Sequence, residues 1–247
     1  MTIETAFETF ALPDGSVRAY VARPRAPLVA PALVAFTDIF ALTASTCRTL
    51  DRLAGYGYAV VAPEIYHRRL PAGTAFAFDD AGREAGLAAA RATPVADFDA
   101  TARELVAALR DDPRFDPART GAVGWCLGGH LAFRAARLPL VRATVCFYPT
   151  GLANGALGAD ADAGSLQRAA HIGGALLTVF GSHDPHVPAS DRAAIRSALE
   201  AVVATYAYRE YDAEHAFMRD EGPRYDPQAT DAALADAVAF FGRYLRA

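Results

Sequence analysis

Short runs of uninterrupted apolar residues, each bounded by turn residues and followed by a longer alanine-rich stretch, restrict the fold of this chain more than any other feature. The runs cover residues 32–36, 58–62, 121–124, 143–147 and 176–180. A strand with one wet face alternates apolar and polar residues, so runs without alternation predict strands buried on both faces. Between them, residues 45–55, 95–110, 127–137 and 188–202 carry helix-period patterns, and residues 230–245 read as a closing amphipathic helix. Strands alternating with helices predict the α/β class, with a mostly parallel central sheet and helices on both faces. The two ends differ from this core. Residues 7–12 and 17–22 flank Pro13-Asp14-Gly15, which predicts an N-terminal antiparallel hairpin, and residues 206–211 alternate as an outer strand would.

Internal repeats and Pro/Ser/Gly linkers are absent from the sequence, and 247 residues suit one domain spanning 1–247. The small, polar segment 151–174 reads as a surface excursion between two core strands. The N-terminus lacks a basic region followed by an apolar run, and no stretch approaches 18 uncharged apolar residues, so a cytoplasmic protein without a membrane partner is expected. A net charge of -4 leaves no basic footprint for nucleic acid. All 24 basic residues are arginine, which removes lysine-dependent phosphate loops and Schiff-base chemistry. Alanine, 57 residues in all, supplies helix-forming bulk. A small-molecule partner and a monomer or small homo-oligomer are expected. Three cysteines, Cys47, Cys126 and Cys146, are too few and too scattered for a disulfide framework or a zinc set. Cys47 and Cys146 read as small buried hydrophobes.

Ligands of such sheets sit beyond the carboxyl ends of the strands, so polar residues just after each strand carry the interest. After the run ending at Gly124 comes Trp125-Cys126-Leu127-Gly128-Gly129, leading into a helical stretch. This is the Gly-x-nucleophile-x-Gly pattern with cysteine in the serine's place. A sharp strand-to-helix turn exposes the nucleophile, and the helix N-terminus both favours a thiolate and aims N–H groups at a developing oxyanion. Asp184 falls just past the strand at 176–180, and His215 just past the strand at 206–211. The order nucleophile, acid, histidine matches a hydrolase triad. Each residue also has a plainer reading: a tight-turn cysteine, a turn or cap aspartate, a solvated loop histidine. A metal reading of His183, Asp184 and His186 lacks a third well-placed histidine or cysteine, so no metal and no cofactor is expected. His67, His130 and His171 read as surface or helix-packing residues.

Together these segments resemble the dienelactone hydrolase family of the α/β-hydrolase superfamily. The resemblance rests on Gly124-Trp125-Cys126-Leu127-Gly128-Gly129, on Gly181 through Pro188, on His215-Ala216-Phe217 and on Pro63-Glu64-Ile65-Tyr66-His67-Arg68. It implies an α/β-hydrolase fold in which Cys126 is the nucleophile, His215 the general base and then acid, and Asp184 the residue that orients His215. The Leu127 N–H and the Ile39 N–H are the expected oxyanion donors. Asp38 stands where the family has a glutamate that interacts with the resting thiol and with substrate-binding arginines; capping of the following helix is the other reading of Asp38. Arg219 and Arg83 resemble the family's carboxylate-binding arginines, or else form surface ion pairs, and Trp125, beside the nucleophile, is expected with them and Asp38 to bind substrate or modulate the thiol. The aromatic residues expected after Arg83 are replaced by Leu87 and an alanine run, which implies a reshaped pocket.

The resulting expectation is a carboxylic ester hydrolase of the carboxymethylenebutenolidase type, cleaving a small carboxylate-bearing lactone or ester through an acyl thioester. A general esterase or thioesterase on the same triad is one alternative, and a catalytically silent binding protein on the same fold is another.

Overall fold

The computed structural model describes residues 1–246. Eight strands form one sheet: β1 (Ile3–Leu12), β2 (Gly15–Pro24), β3 (Ala30–Phe36), β4 (Ala59–Pro63), β5 (Phe115–Trp125), β6 (Val141–Phe147), β7 (Ala175–Gly181) and β8 (Tyr206–Tyr211). They lie in the order β1-β2-β4-β3-β5-β6-β7-β8. Strands β3 through β8 run parallel, while β2 pairs antiparallel with both β1 and β4. Hairpin and parallel core therefore occupy the places that the hydrophobic patterning assigns them, in an α/β-hydrolase fold.

Six helices flank the sheet: α1 (Ala44–Gly55), α2 (Asp80–Ala92), α3 (Val95–Arg110), α4 (Leu127–Ala135), α5 (Ala189–Val202) and α6 (Pro227–Leu245). Alternate residues of β3 show how they divide. Leu33 and Ala35 face a core shared with Leu50 and Leu53 of α1 and Phe241 of α6. Val34 and Phe36 face one shared with Phe98 and Leu105 of α3, Phe133 of α4 and Leu199 of α5. Burial on both faces explains why this strand has no polar alternation. None of the helices among the described residues is long and apolar enough to cross a membrane.

Two stretches differ from the sequence expectation. Helix α2 is capped by the Asp79 side chain, which accepts from Gly82 N at 2.7 Å. Segment 151–174 is more than a surface excursion: Leu152, Leu157, Ser165 and Ala169 are buried, and Leu166–His171 forms a short 3-10 helix. Isolated buried residues in a glycine-rich segment carry no periodicity, so patterning could not reveal them.

The connections leave β3 toward β4 on one side and, after β5, proceed toward β8 on the other. The chain's switch in direction thus lies between β3 and β5, where the crevice of a parallel sheet opens. Close approach of backbones shapes that crevice. A Cβ on Gly128 would sit 2.0 Å from the Phe36 carbonyl oxygen, and one on Gly124 would sit 2.0 Å from the Gly128 oxygen. Both obstacles are backbone atoms that cannot rotate away. Gly128→Ala is therefore expected to lower stability by about 1–3 kcal/mol through overpacking, measured by urea denaturation; an unchanged midpoint would contradict this account of the turn.

Candidate active site

Cys126 occupies the β5–α4 turn with φ 57° and ψ -119°, a left-handed backbone rarely adopted by a residue with a side chain. The surrounding hydrogen bonds hold it there. Its N–H donates to the Phe147 oxygen at 3.0 Å, and its carbonyl accepts from Gly129 N at 3.0 Å and from Thr150 N at 3.3 Å. Such strain persists where the surroundings over-determine it, which is characteristic of functional turns. The Leu127 and Ile39 N–H groups have no hydrogen-bond partner among the described residues.

Asp184 and His215 come together from separate loops. A Cβ on Gly181 would lie 2.3 Å from the Ala213 oxygen, so a bare backbone at the end of β7 lets the loop after β8 pass close. His215 Nδ1 then stands 2.6 Å from Asp184 Oδ2. The other carboxylate oxygen accepts the His186 and Val187 N–H groups at 2.7 and 3.1 Å. Burial would raise the Asp184 pKa, but the His215 bond and these two N–H donors outweigh it and leave the carboxyl below its ordinary value. His215 is itself enclosed, between Tyr148 at a ring-centroid distance of 5.0 Å and His186 at 4.7 Å. Burial disfavours its imidazolium, yet interaction with the Cys126 sulfur and with Asp184 prevails and raises its pKa to about 9.

A cavity of about 710 Å³ opens over these groups, lined by Cys126, His215, Ile39, Arg83 and Arg219, with Phe78 on one wall. Arg219 does not point freely into it: the guanidinium donates to Asp38 at 2.5 Å and sits 4.7 and 4.6 Å from the ring centroids of Phe40 and Phe78. Planar guanidinium stacked on aromatic faces and paired with a carboxylate is a well-held arrangement. Asp38 lies behind it, accepting the Phe40 N–H at 2.9 Å. Capping of the next helix falls instead to Thr43, whose side chain accepts from Thr46 N. Arg83 is exposed on α2, and its nearest acidic partner is Asp80 at 3.8 Å. Trp125 is turned away from the cavity and stacks on Phe147, centroids 5.6 Å apart and planes 3° from parallel.

Helix α2 reaches the site because Gly86 lacks a side chain: a Cβ there would lie 2.5 Å from the Ile39 oxygen. The histidines and cysteines outside this group have other surroundings. His183 is exposed and bonds Asp212, His67 bonds Thr101, and His171 is exposed. His130, on α4, is fully buried, which fits the helix-packing alternative of its two readings and not the surface one. Cys146 is buried in β6, whereas Cys47 is only partly buried. No group of three or more histidine, cysteine or acidic side chains among the described residues could hold a metal ion.

Sequence reasoning did not single out Thr150 or Phe78, and it raised His186 only in the metal reading that it set aside. Thr150 had a usable signal, since it follows the end of β6 on the same edge of the sheet. His186 and Phe78 had none, because facing another side chain is not encoded in local spacing.

The raised pKa of His215 has a definite consequence for stability. A basic group with a higher pKa in the folded state than in the unfolded one stabilises most below its unfolded value, and that contribution is lost as pH rises through the folded value. The stability difference between the wild type and His215→Gln is expected to be steady below about pH 6.5 and to shrink as pH approaches about 9; urea melts at stepped pH would measure it, and a difference that grew over this range would refute the assignment.

Comparison with known proteins identifies the family and the fold. The dienelactone hydrolase family model matches residues 17–245. A Saccharomyces cerevisiae protein assigned as a carboxymethylenebutenolidase is 33% identical over 222 residues, 87% of this chain and 81% of its own. Carboxymethylenebutenolidase from Pseudomonas putida is 30% identical over 209 residues, 84% of this chain and 82% of its own. Among solved structures, an assigned dienelactone hydrolase from Klebsiella pneumoniae superposes with a TM-score of 0.85 at 24% identity, covering 99% of this chain and 100% of the other. The chain therefore belongs to the dienelactone hydrolase family and is a hydrolase of that type.

Proposed function

We propose that this protein hydrolyses a small, carboxylate-bearing lactone or ester, with Cys126 as nucleophile, His215 as proton carrier and Asp184 as its orienting partner. The observation that carries the reading is the 2.6 Å contact of Asp184 with His215 Nδ1, which leaves Nε2 as the nitrogen available in the cavity that Cys126 also lines. With Nδ1 engaged by a carboxylate, the ring has a set orientation and its positive form is stabilised.

In this mechanism the Cys126 thiolate attacks the ester carbonyl, and the new oxyanion accepts the Leu127 and Ile39 N–H groups. The carbon–oxygen bond breaks, the departing oxygen takes a proton from His215, and an acyl thioester remains. In a lactone the departing oxygen stays tethered and the ring opens. Water then adds to the thioester carbonyl while His215 takes its proton, and collapse of that intermediate returns the electron pair to sulfur. A thiolate is a good leaving group in this second step. Activated acyl groups such as enol lactones therefore suit the site better than amides.

Of the three arginines on the cavity lining, Arg224 pairs with Glu214, and Arg83 and Arg219 are the ones assigned to a substrate carboxylate, Arg219 beside the rings of Phe40 and Phe78. Pairing of Arg219 with Asp38 also supports a second reading, a general esterase for neutral substrates, because that positive charge is already compensated.

Cys126→Ala is expected to lower ester and lactone hydrolysis by about a thousandfold or more with an unchanged circular dichroism spectrum; turnover near the wild-type rate would sink the mechanism. For Arg219→Ala, KM on an anionic ester should rise by about tenfold while a neutral ester of the same leaving group is little affected. Equal treatment of the two esters would favour the general esterase.

A further inference from the structure

Thr150 lies near the start of the loop after β6, half-buried, and its hydroxyl oxygen is 3.7 Å from the Cys126 sulfur, within the longer reach of hydrogen bonds to sulfur. Its backbone is fixed from two directions. The Thr150 N–H donates to the Cys126 carbonyl at 3.3 Å, and the Thr150 carbonyl oxygen lies 3.0 Å from His130 Nδ1. A carbonyl can only accept, so Nδ1 carries the proton. His130 is fully buried, and burial holds its pKa down to about 3, so the ring stays neutral and its Nε2 is an acceptor. Ser165 Oγ, 2.7 Å away, therefore donates to Nε2 and in turn accepts from Arg134 Nη1 at 2.9 Å. The chain ends on Asp99, which takes the Arg134 Nε–H at 2.8 Å. Arg134 Nη1 also donates to the Ala163 oxygen at 2.8 Å, so the series that holds the Thr150 carbonyl is itself anchored to backbone.

We infer that the Thr150 hydroxyl is a catalytic group of the hydrolase described above: it donates a hydrogen bond to the Cys126 thiolate. The direction of the bond follows from the chemistry, since a thiolate has no proton to give. The bond forms whenever the sulfur is anionic: before its attack on the carbonyl, and again when the carbon–sulfur bond of the second tetrahedral intermediate breaks and its electron pair returns to sulfur. No proton is transferred to or from Thr150 in either step. In the acyl thioester the sulfur is a poor acceptor, so the bond weakens there, and the difference favours release of the acid product. His130, Ser165 and Arg134 act as positioning residues for this hydroxyl.

The other ionisable groups around the sulfur are His215 after β8, Asp38 after β3, Arg219 beyond His215, Tyr148 after β6 and Tyr66 after β4. All of them are retained when only Thr150 changes. Thr150→Val keeps the side-chain shape and removes the donor, Thr150→Ala removes donor and shape, and Thr150→Ser keeps the donor. In a Cys47→Ala background, with Cys146 buried, the iodoacetamide alkylation rate from pH 5 to 10 reports the Cys126 thiolate alone. The expected result is an inflection about one pH unit higher in Thr150→Val and Thr150→Ala than in the wild type, with Thr150→Ser coinciding with the wild type. A Thr150→Val or Thr150→Ala profile that overlays the wild type, or a Thr150→Ser profile displaced together with them, would overturn the inference. One folded variant lacking the hydroxyl suffices for the comparison. The readout needs no turnover, so it stands apart from the hydrolase mechanism, whose failure would show as activity surviving in Cys126→Ala.

Discussion

The meeting of three backbones at the β5–α4 turn is the constraint on which the rest of the site depends. Gly124 and Gly128 let β5, the start of α4 and the end of β3 approach to distances that no side chain would allow. That approach forces Cys126 into a left-handed conformation and carries its side chain to the crevice between β3 and β5. A flexible loop could present a thiol there too, but it could not hold the surrounding backbone in one arrangement.

Charge in the site is managed without lysine. The Asp38–Arg219 pair, the Asp184–His215 pair and the aromatic faces around Arg219 are fixed, directional arrangements. Asp38 reaches Arg219 and the Phe40 N–H, and no bond from it to Cys126 exists among the described residues. The shorter acid thus binds the cation, while the hydroxyl nearest the sulfur comes from Thr150. A site built from paired groups changes its electrostatics by exchanging partners, and an arriving carboxylate would meet Asp38 as a competitor for Arg219.

The legibility of the fold varied with the kind of signal. Residues 206–211 and 95–110 coincide with β8 and α3 because long periodic segments declare their type. Helix α2 carries Gly82 and Gly86, which weaken a helical pattern, yet Gly86 is what allows the helix to touch Ile39. Local propensity was sacrificed there to a tertiary contact. The buried residues of segment 151–174 were hidden for a related reason: Ser165 and Ala169 are enclosed by what lies across from them.

What the sequence determined by itself was the layered architecture, the turn at Cys126 and the placement of Asp184 and His215 after successive strands. Those features follow from hydrophobic period and from glycine spacing, both local along the chain. Only the tertiary structure decided which side chains meet: Asp38 with Arg219 across 181 positions, Thr150 with Cys126 across 24, and His186 edge-on to His215. Those pairings depend on how far each strand end projects into the crevice and on the rotamer that packing permits. Neither quantity is carried by the order of residues within one segment.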